Sequence, residues 1–160
     1  HSTSSAASDV YKRQIIEEAL LKGKIIEFKK ISKLKREVVY SGDTRFDFEL
    51  KINNRKVFLE VKNVTLSREQ GIAEFPDSIT SRGLKHIKKL GLSMKHGFDA
   101  VVIFLIQRED CNFFKIAKDI DHKYYEAYKK NKKKGVKFIA YSCKVNSKKI
   151  EVGKKIKIIN

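Results

Sequence analysis

Two carboxylates and one amine form a candidate catalytic set in this chain, namely those of Asp47, Glu60 and Lys62. Two carboxylates about 5 Å apart on neighbouring strands repel by about 3 kcal/mol at an effective dielectric constant of about 20. A divalent cation between them turns that repulsion into binding, and Mg²⁺ or Mn²⁺ accepts such oxygen ligands. A nearby lysine ammonium could orient an attacking water or neutralise charge on phosphorus. The set predicts phosphodiester hydrolysis, with all three residues catalytic and the two acids as metal ligands.

A β-hairpin is the element that must bring these residues together. Residues 45–50 and 56–64 both alternate apolar and polar side chains, as half-buried strands do. Asn53-Asn54 between them marks a tight turn, because asparagine tolerates the positive φ that short hairpin loops require. The register set by this turn places Asp47 directly opposite Glu60. It also places Phe46, Phe48 and Leu50 together on one apolar face.

The same strand positions have a simpler interpretation. Arg45, Asp47, Glu49, Glu60 and Lys62 could form the solvated face of the hairpin, with the basic residues balancing the acids. Glu-x-Lys is a common triplet on strands, so this pattern by itself has low specificity. Both interpretations remain open at this level.

The remaining apolar periodicity predicts an α/β fold. The order is helix, three strands, helix, strand, helix and two strands, which indicates one mixed β-sheet flanked by helices. The predicted segments are a helix over 15–20, strands over 37–40, 45–50 and 56–64, a helix after Pro76, a strand over 100–106, a helix over 121–135, and strands over 136–145 and 150–159, the last at a sheet edge.

Two further acids could join the site. Asp77 lies in the Pro76-Asp77-Ser78 helix-start signal, where Asp77 or Ser78 is expected to cap a helix that carries Ile79. Asp77 is therefore either an N-cap or a third metal ligand. Glu18, on the first helix, could also complete the site.

Composition limits the class of protein. The chain has 160 residues, of which 41% are hydrophobic, which is enough for one folded domain. Its longest apolar run, residues 100–106, is far shorter than the roughly 20 residues of a membrane span, so no membrane association and a cytoplasmic location are expected. Two cysteines without close spacing argue against a disulfide scaffold or structural zinc. Residues 1–10 are expected to be disordered or tag-like, which leaves 11–160 as the domain.

The net charge of +17 favours an anionic partner such as nucleic acid. The alternative explanation of the charge is a low-G+C coding bias that enriches lysine on any solvated surface, since 29 of the 36 basic residues are lysine.

Three long segments of the chain resemble the sugar fermentation stimulation protein family (SfsA) in order and spacing. These segments are 40–48 (YSGDTRFDF), 59–66 (LEVKNVTL) and 75–86 (FPDSITSRGLKH). The resemblance implies a restriction-endonuclease-like PD-(D/E)xK core, in which one Asp and a Glu-x-Lys strand form the metal site. Carried over residue by residue, these are Asp47, Glu60 and Lys62. The resemblance also implies an N-terminal OB-like module in family members, and we expect no such module within these 160 residues.

The resemblance further implies DNA binding and a regulatory role in sugar (maltose) metabolism. Arg82, Lys85 and His86 match the family's Arg-Gly-x-Lys-His stretch, and with Arg45 they are the expected nucleic-acid-binding residues. The first functional hypothesis is a Mg²⁺- or Mn²⁺-dependent nuclease acting on DNA, with double-stranded DNA favoured. The second is a non-catalytic DNA-binding regulator, and a third is an RNA-directed nuclease. A homodimer is compatible with each hypothesis.

Overall fold

The computed structural model describes residues 6–160, which form three α-helices and nine β-strands. In chain order these elements are α1 (Ala6–Leu21), β1 (Ile31–Ser41), β2 (Thr44–Ile52), β3 (Arg55–Val64), β4 (Leu66–Glu69), β5 (Ile72–Phe75), α2 (Ser81–Met94), β6 (Asp99–Ile106), β7 (Phe113–Ile116), α3 (His122–Lys134), β8 (Lys137–Val145) and β9 (Ile150–Ile158).

The strands form one mixed sheet in the order β1-β2-β3-β6-β8-β9-β7-β5-β4. β3, β6 and β8 run parallel to one another, whereas β1-β2, β2-β3 and β8-β9 are antiparallel pairs. β6 is buried along nearly its whole length, which explains its uninterrupted apolar sequence, because a central parallel strand is covered on both faces. The predicted α/β class with a mixed sheet flanked by helices is confirmed.

The helices cover opposite faces of the sheet. Val102 and Phe104 of β6 belong to a core cluster with residues of α2 and α3, whereas Val101 and Ile103 belong to a second cluster with residues of α1. Successive side chains of a strand point to opposite faces, so α1 lies on one side and α2 with α3 on the other.

The β2-β3 hairpin has the expected register. Asn53 and Asn54 have φ values of 50° and 65°, as a two-residue turn with left-handed backbone requires. Pairing runs from Ile52 opposite Arg55 to Phe48 opposite Leu59 and ends there.

The apolar face of the hairpin differs from the expectation at one residue. Phe46 packs against Phe58 and Tyr40 on the α2-α3 side, whereas Phe48 and Leu50 lie in the cluster with α1. The apolar side chains of β2 therefore switch from one face of the sheet to the other at Asp47, just beyond the end of the pairing of β2 with β3. Strict alternation cannot continue where the ladder is interrupted.

The start of α2 also differs from the expectation. Its N-cap is Thr80, whose side-chain oxygen accepts a hydrogen bond of 3.0 Å from Gly83 N, and not Asp77 or Ser78. Ile79 precedes the helix and is 79% exposed. The boundaries of α3 are as predicted, with Asp121 as N-cap and Gly135 ending the helix at φ 111°.

Other differences concern short strands and the chain ends. β4, β5 and β7 have four residues each, too few to show a period, and no sequence pattern predicts them. β9 is not an edge strand, because β7 pairs with its far side. α1 begins at Ala6, so residues 6–10, expected to be disordered or tag-like, lie in a helix; residues 1–5 of that segment lie outside the described residues.

Within residues 6–160, no helix has both the length and the apolar character needed to cross a membrane. Cys111 and Cys143 are buried free thiols.

Candidate active site

A cleft of about 510 Å³ opens where the pairing of β2 with β3 ends. Asp47, Glu60 and Lys62 all line it, so the structure brings the three predicted catalytic residues together. The other lining residues come from α1, β1, β2, β3, the residue after β3, the end of β5, the segment before α2, and α2 itself: Asp9, Lys12, Arg13, Glu37, Arg45, Phe46, Asn63, Thr65, Phe75, Pro76, Asp77, Ser78, Ile79, Thr80, Arg82 and His86.

Asp47 is held by the backbone of the neighbouring strand. Its Oδ2 accepts a hydrogen bond of 2.8 Å from the backbone N–H of Val61, and its side chain is 8% exposed. Burial, and then the negative charge of Glu60, raise the pKa of Asp47 to about 7. Glu60 therefore lies close enough to disfavour the ionised form of Asp47, as expected for a carboxyl group beside another acid without a cation between them.

Two basic residues of α1 approach Asp47 from the other side. Lys12 Nζ lies 3.8 Å from Asp47 Oδ2 and donates a hydrogen bond of 2.8 Å to the carbonyl oxygen of Val61. Arg13 Nη1 lies 3.5 Å from Asp47 Oδ1. The sequence does not predict these two residues as part of the site, because contacts across 34 or more positions leave no local pattern.

Glu60 is buried, with a side chain 4% exposed. Its Oε2 lies 2.9 Å from His86 Nδ1, but the geometry is not that of a hydrogen bond, and this oxygen has no hydrogen-bond partner within the described part of the chain. A buried carboxylate oxygen without a donor is costly, so the site has capacity for a cation or a donor at this position.

His86 connects the acid to the lysine. Its Nδ1 lies 3.0 Å from Lys62 Nζ as well as 2.9 Å from Glu60. Burial, then the positive charges of Lys62 and Arg82, lower the pKa of His86 to about 3, so the ring is neutral near pH 7. A neutral Nδ1 without hydrogen accepts from the Lys62 ammonium and cannot donate to Glu60 at the same time. Burial also lowers the pKa of Lys62.

The predicted nucleic-acid-binding residues separate into two groups. Arg45, Arg82 and His86 line the cleft. Lys85, in contrast, donates a hydrogen bond of 2.7 Å to Asp43 and is not among the lining residues. The expected i, i+3, i+4 set on α2 therefore does not act as one face, because Lys85 turns towards the β1-β2 loop.

The two additional acids also differ in position. Asp77 lines the cleft, where Ser78 Oγ lies 3.5 Å from its Oδ1. Glu18 is not a lining residue; it binds Lys22 at 2.8 Å and Lys149 at 3.3 Å. Glu37, which the sequence does not single out, does line the cleft, with a left-handed φ of 48° that no periodic pattern signals.

The carboxylates of Asp47 and Glu60 fit a hard divalent cation. Glu60 supplies a buried oxygen without a donor, and Asp47 supplies a second carboxylate beside it. Among residues 6–160, no group of three or more His, Cys, Asp or Glu side chains is arranged to hold a metal ion. The remaining ligands would therefore be water or substrate oxygens, as is usual for Mg²⁺.

Comparison with known proteins relates the chain to one family. The family model described as "Sugar fermentation stimulation protein RE domain" matches residues 10–149. A sugar fermentation stimulation protein homolog of Pelagibacter ubique is 55% identical over 127 residues, which cover 79% of this chain and 55% of that protein. A homolog of Agrobacterium fabrum is 39% identical over 146 residues, which cover 91% of this chain and 61% of that protein.

A solved structure shares the fold. The structure of Pyrococcus furiosus SfsA in complex with Ca²⁺ superimposes with a TM-score of 0.87 at 25% sequence identity, covering 95% of this chain and 65% of that one. The chain thus spans between 55% and 65% of the length of these three proteins.

Proposed function

The chain belongs to the sugar fermentation stimulation protein family, and from this membership and the cleft geometry we propose that it is a divalent-metal-dependent nuclease acting on DNA. We further propose that its sheet and helices are a restriction-endonuclease-like core of the PD-(D/E)xK type. The observation that carries the proposal is that Asp47, Glu60 and Lys62 line one cleft, with a buried oxygen of Glu60 lacking a hydrogen-bond donor in the described chain.

Asp47 and Glu60 are the residues that would hold Mg²⁺ or Mn²⁺. The Pyrococcus furiosus SfsA structure is a complex with Ca²⁺, which supports a hard divalent cation in this family. When bound, such an ion lowers the pKa of water and stabilises charge on a phosphoryl oxygen. Asp47 is suited to this role because the N–H of Val61 fixes one of its oxygens.

Lys62 is the residue that would position the attacking water. Its ammonium group is held by neutral His86 at 3.0 Å, which leaves its other two N–H groups available to a water or a phosphate oxygen. Because burial lowers the pKa of Lys62, its ammonium group can transfer a proton to a reacting group more readily.

The charge of the protein favours a nucleic acid as the substrate. The net charge of +17 attracts a polyanion, and Arg45 and Arg82 line the same cleft as the two acids. Double-stranded DNA is proposed ahead of RNA by family resemblance.

The test is cleavage of supercoiled plasmid with Mg²⁺ or Mn²⁺ and without either ion. Glu60→Gln and Lys62→Met should each reduce the cleavage rate at least 100-fold, while Lys88→Met, an exposed substitution on α2, should leave it unchanged. Binding without cleavage by the parent protein would refute the nuclease and favour the non-catalytic regulator. Preferential cleavage of RNA in a parallel reaction would instead refute DNA as the substrate.

A further inference from the structure

The hydroxyl of Tyr124 has no hydrogen-bond partner within residues 6–160, although the residue is 0% exposed. Two other buried tyrosines of the chain do not share this feature. Tyr128 donates to the carbonyl oxygen of Asn160 at 2.8 Å, and Tyr141 donates to Glu27 at 2.5 Å. A buried tyrosine hydroxyl usually has a partner, so Tyr124 requires an explanation.

Tyr124 lies beneath the first turn of α2, next to the cleft. A Cβ atom on Gly83 would lie 3.1 Å from Tyr124 Cε2, so the hydroxyl-bearing end of the ring reaches this glycine. The ring centroids of Tyr124 and Phe75 lie 5.3 Å apart, and Phe75 lines the cleft. His86, one helical turn after Gly83, contacts Glu60.

Glu60 lies on the side of the sheet that α2 and α3 cover, and Tyr124 is buried on the same side. Glu60 shares one face of β3 with Phe58 and Val64, which pack in the same cluster as Tyr124. The negative charge of Glu60 contributes, after burial, to raising the pKa of Tyr124, as expected for neighbouring groups. One group is a donor without an acceptor and the other has an acceptor oxygen without a donor.

We propose that Tyr124 is a positioning residue, whose hydroxyl donates a hydrogen bond to the Glu60 carboxylate when a divalent cation is bound. Carboxylates that bind metals are commonly held by such outer hydrogen bonds, and their loss typically weakens metal affinity 10- to 100-fold. The inference rests on the proposed function only in that Glu60 is taken as a metal ligand. It also explains Gly83, since any side chain there would press on the ring that must reach Glu60.

The test combines Tyr124→Phe with Mn²⁺ titration by calorimetry and thermal unfolding in EDTA. We expect Mn²⁺ affinity to fall about tenfold, while the melting temperature in EDTA is unchanged or rises, because the substitution removes an unpaired buried hydroxyl. Tyr128→Phe is the matched control: it loses a hydrogen bond to Asn160, so its melting temperature should fall while its Mn²⁺ affinity stays at the parent value.

Unchanged Mn²⁺ affinity in Tyr124→Phe would overturn the inference, as would a melting temperature in EDTA that falls as far as in Tyr128→Phe. Failure of the proposed function appears differently, as a parent protein that binds Mn²⁺ but cleaves no DNA. In that case a tenfold loss of Mn²⁺ affinity in Tyr124→Phe would still support the role of Tyr124 towards Glu60, and unchanged affinity would still overturn it. A parent protein that binds no Mn²⁺ would overturn both.

Discussion

Asp47 accepts a hydrogen bond of 2.8 Å from the backbone N–H of Val61, a residue on the neighbouring strand. The backbone pairing of β2 with β3 ends at Phe48 opposite Leu59, and beyond this point the Asp47 side chain accepts the hydrogen bond in place of a backbone carbonyl. The carboxylate satisfies a backbone donor that would otherwise be unpaired, and in exchange its orientation is fixed. One interaction therefore both ends a hairpin and positions an acid beside Glu60.

Asp47→Asn is expected to stabilise the protein in EDTA by about 2 kcal/mol at pH 8 and by less at pH 5. The raised pKa of Asp47, about 7, means that the folded state retains a proton which the unfolded chain releases near pH 4. The stability that this proton contributes is complete below pH 4 and is lost as the pH rises through 7. Asparagine removes this dependence and can still accept from Val61 N.

Urea unfolding in EDTA at both pH values measures this effect. Asp43→Asn is the control, because the side chain of Asp43 is 83% exposed and should contribute little at either pH. An equal gain at pH 5 and pH 8 for Asp47→Asn would contradict the assignment.

Arg82→Ala should lower the salt dependence of duplex DNA binding. If Arg82 contacts a phosphate in the cleft, the slope of log affinity against log salt becomes shallower by about 1. Lys85→Ala is the comparison, because Lys85 binds Asp43 outside the cleft and should change the slope less. Fluorescence anisotropy in EDTA between low and moderate salt measures both. A larger effect for Lys85 would argue that DNA lies along α2 and not in the cleft.

Gly83→Ala should destabilise the fold by about 1–2 kcal/mol, although alanine favours helix by about 1 kcal/mol. The added Cβ would lie 2.9 Å from the side chain of Thr80 and 3.1 Å from Tyr124, so the N-cap or the ring must shift. Chemical denaturation measures the change. Lys88→Ala, on the exposed face of the same helix, should stay within about 0.5 kcal/mol of the parent, and a stabilised Gly83→Ala would show that the contact relaxes freely.

Arg68→Met should destabilise the protein by about 2 kcal/mol at neutral pH, because it leaves the buried Glu74 carboxylate without its main partner. Arg68 donates two hydrogen bonds of 2.8 Å to Glu74 and holds the pKa of that carboxyl below its ordinary value. The stability from this pair is present above about pH 4.3 and is lost as the pH falls through the lowered pKa of Glu74.

The destabilisation of Arg68→Met should therefore shrink in urea unfolding as the pH approaches 3. Adding Glu74→Gln to Arg68→Met should recover part of the loss at neutral pH, because it removes the unpaired charge. No recovery in the double variant would show that Arg68 stabilises mainly through Asp119, which it also binds.

The hairpin, the central strand and α3 could be predicted because their signals are local. The Asn53-Asn54 turn sets the register of β2 and β3, and the apolar run in β6 identifies a strand covered on both faces. Asp121 and Gly135 bound α3 through hydrogen bonds and backbone conformations that involve only neighbouring residues. Four-residue strands such as β4 contain too little periodicity to be recognised.

The sequence alone predicts that Asp47, Glu60 and Lys62 lie close together, because the hairpin register and the Glu-x-Lys spacing place them on neighbouring strands. Their surroundings depend on the tertiary structure, because helices distant in sequence supply them. α1 brings Lys12 to Asp47, α2 brings His86 between Glu60 and Lys62, and α3 buries Tyr124 under α2. Burial and charge from these helices set the pKa values and leave Glu60 Oε2 without a donor, and neither effect can be calculated before the chain is packed.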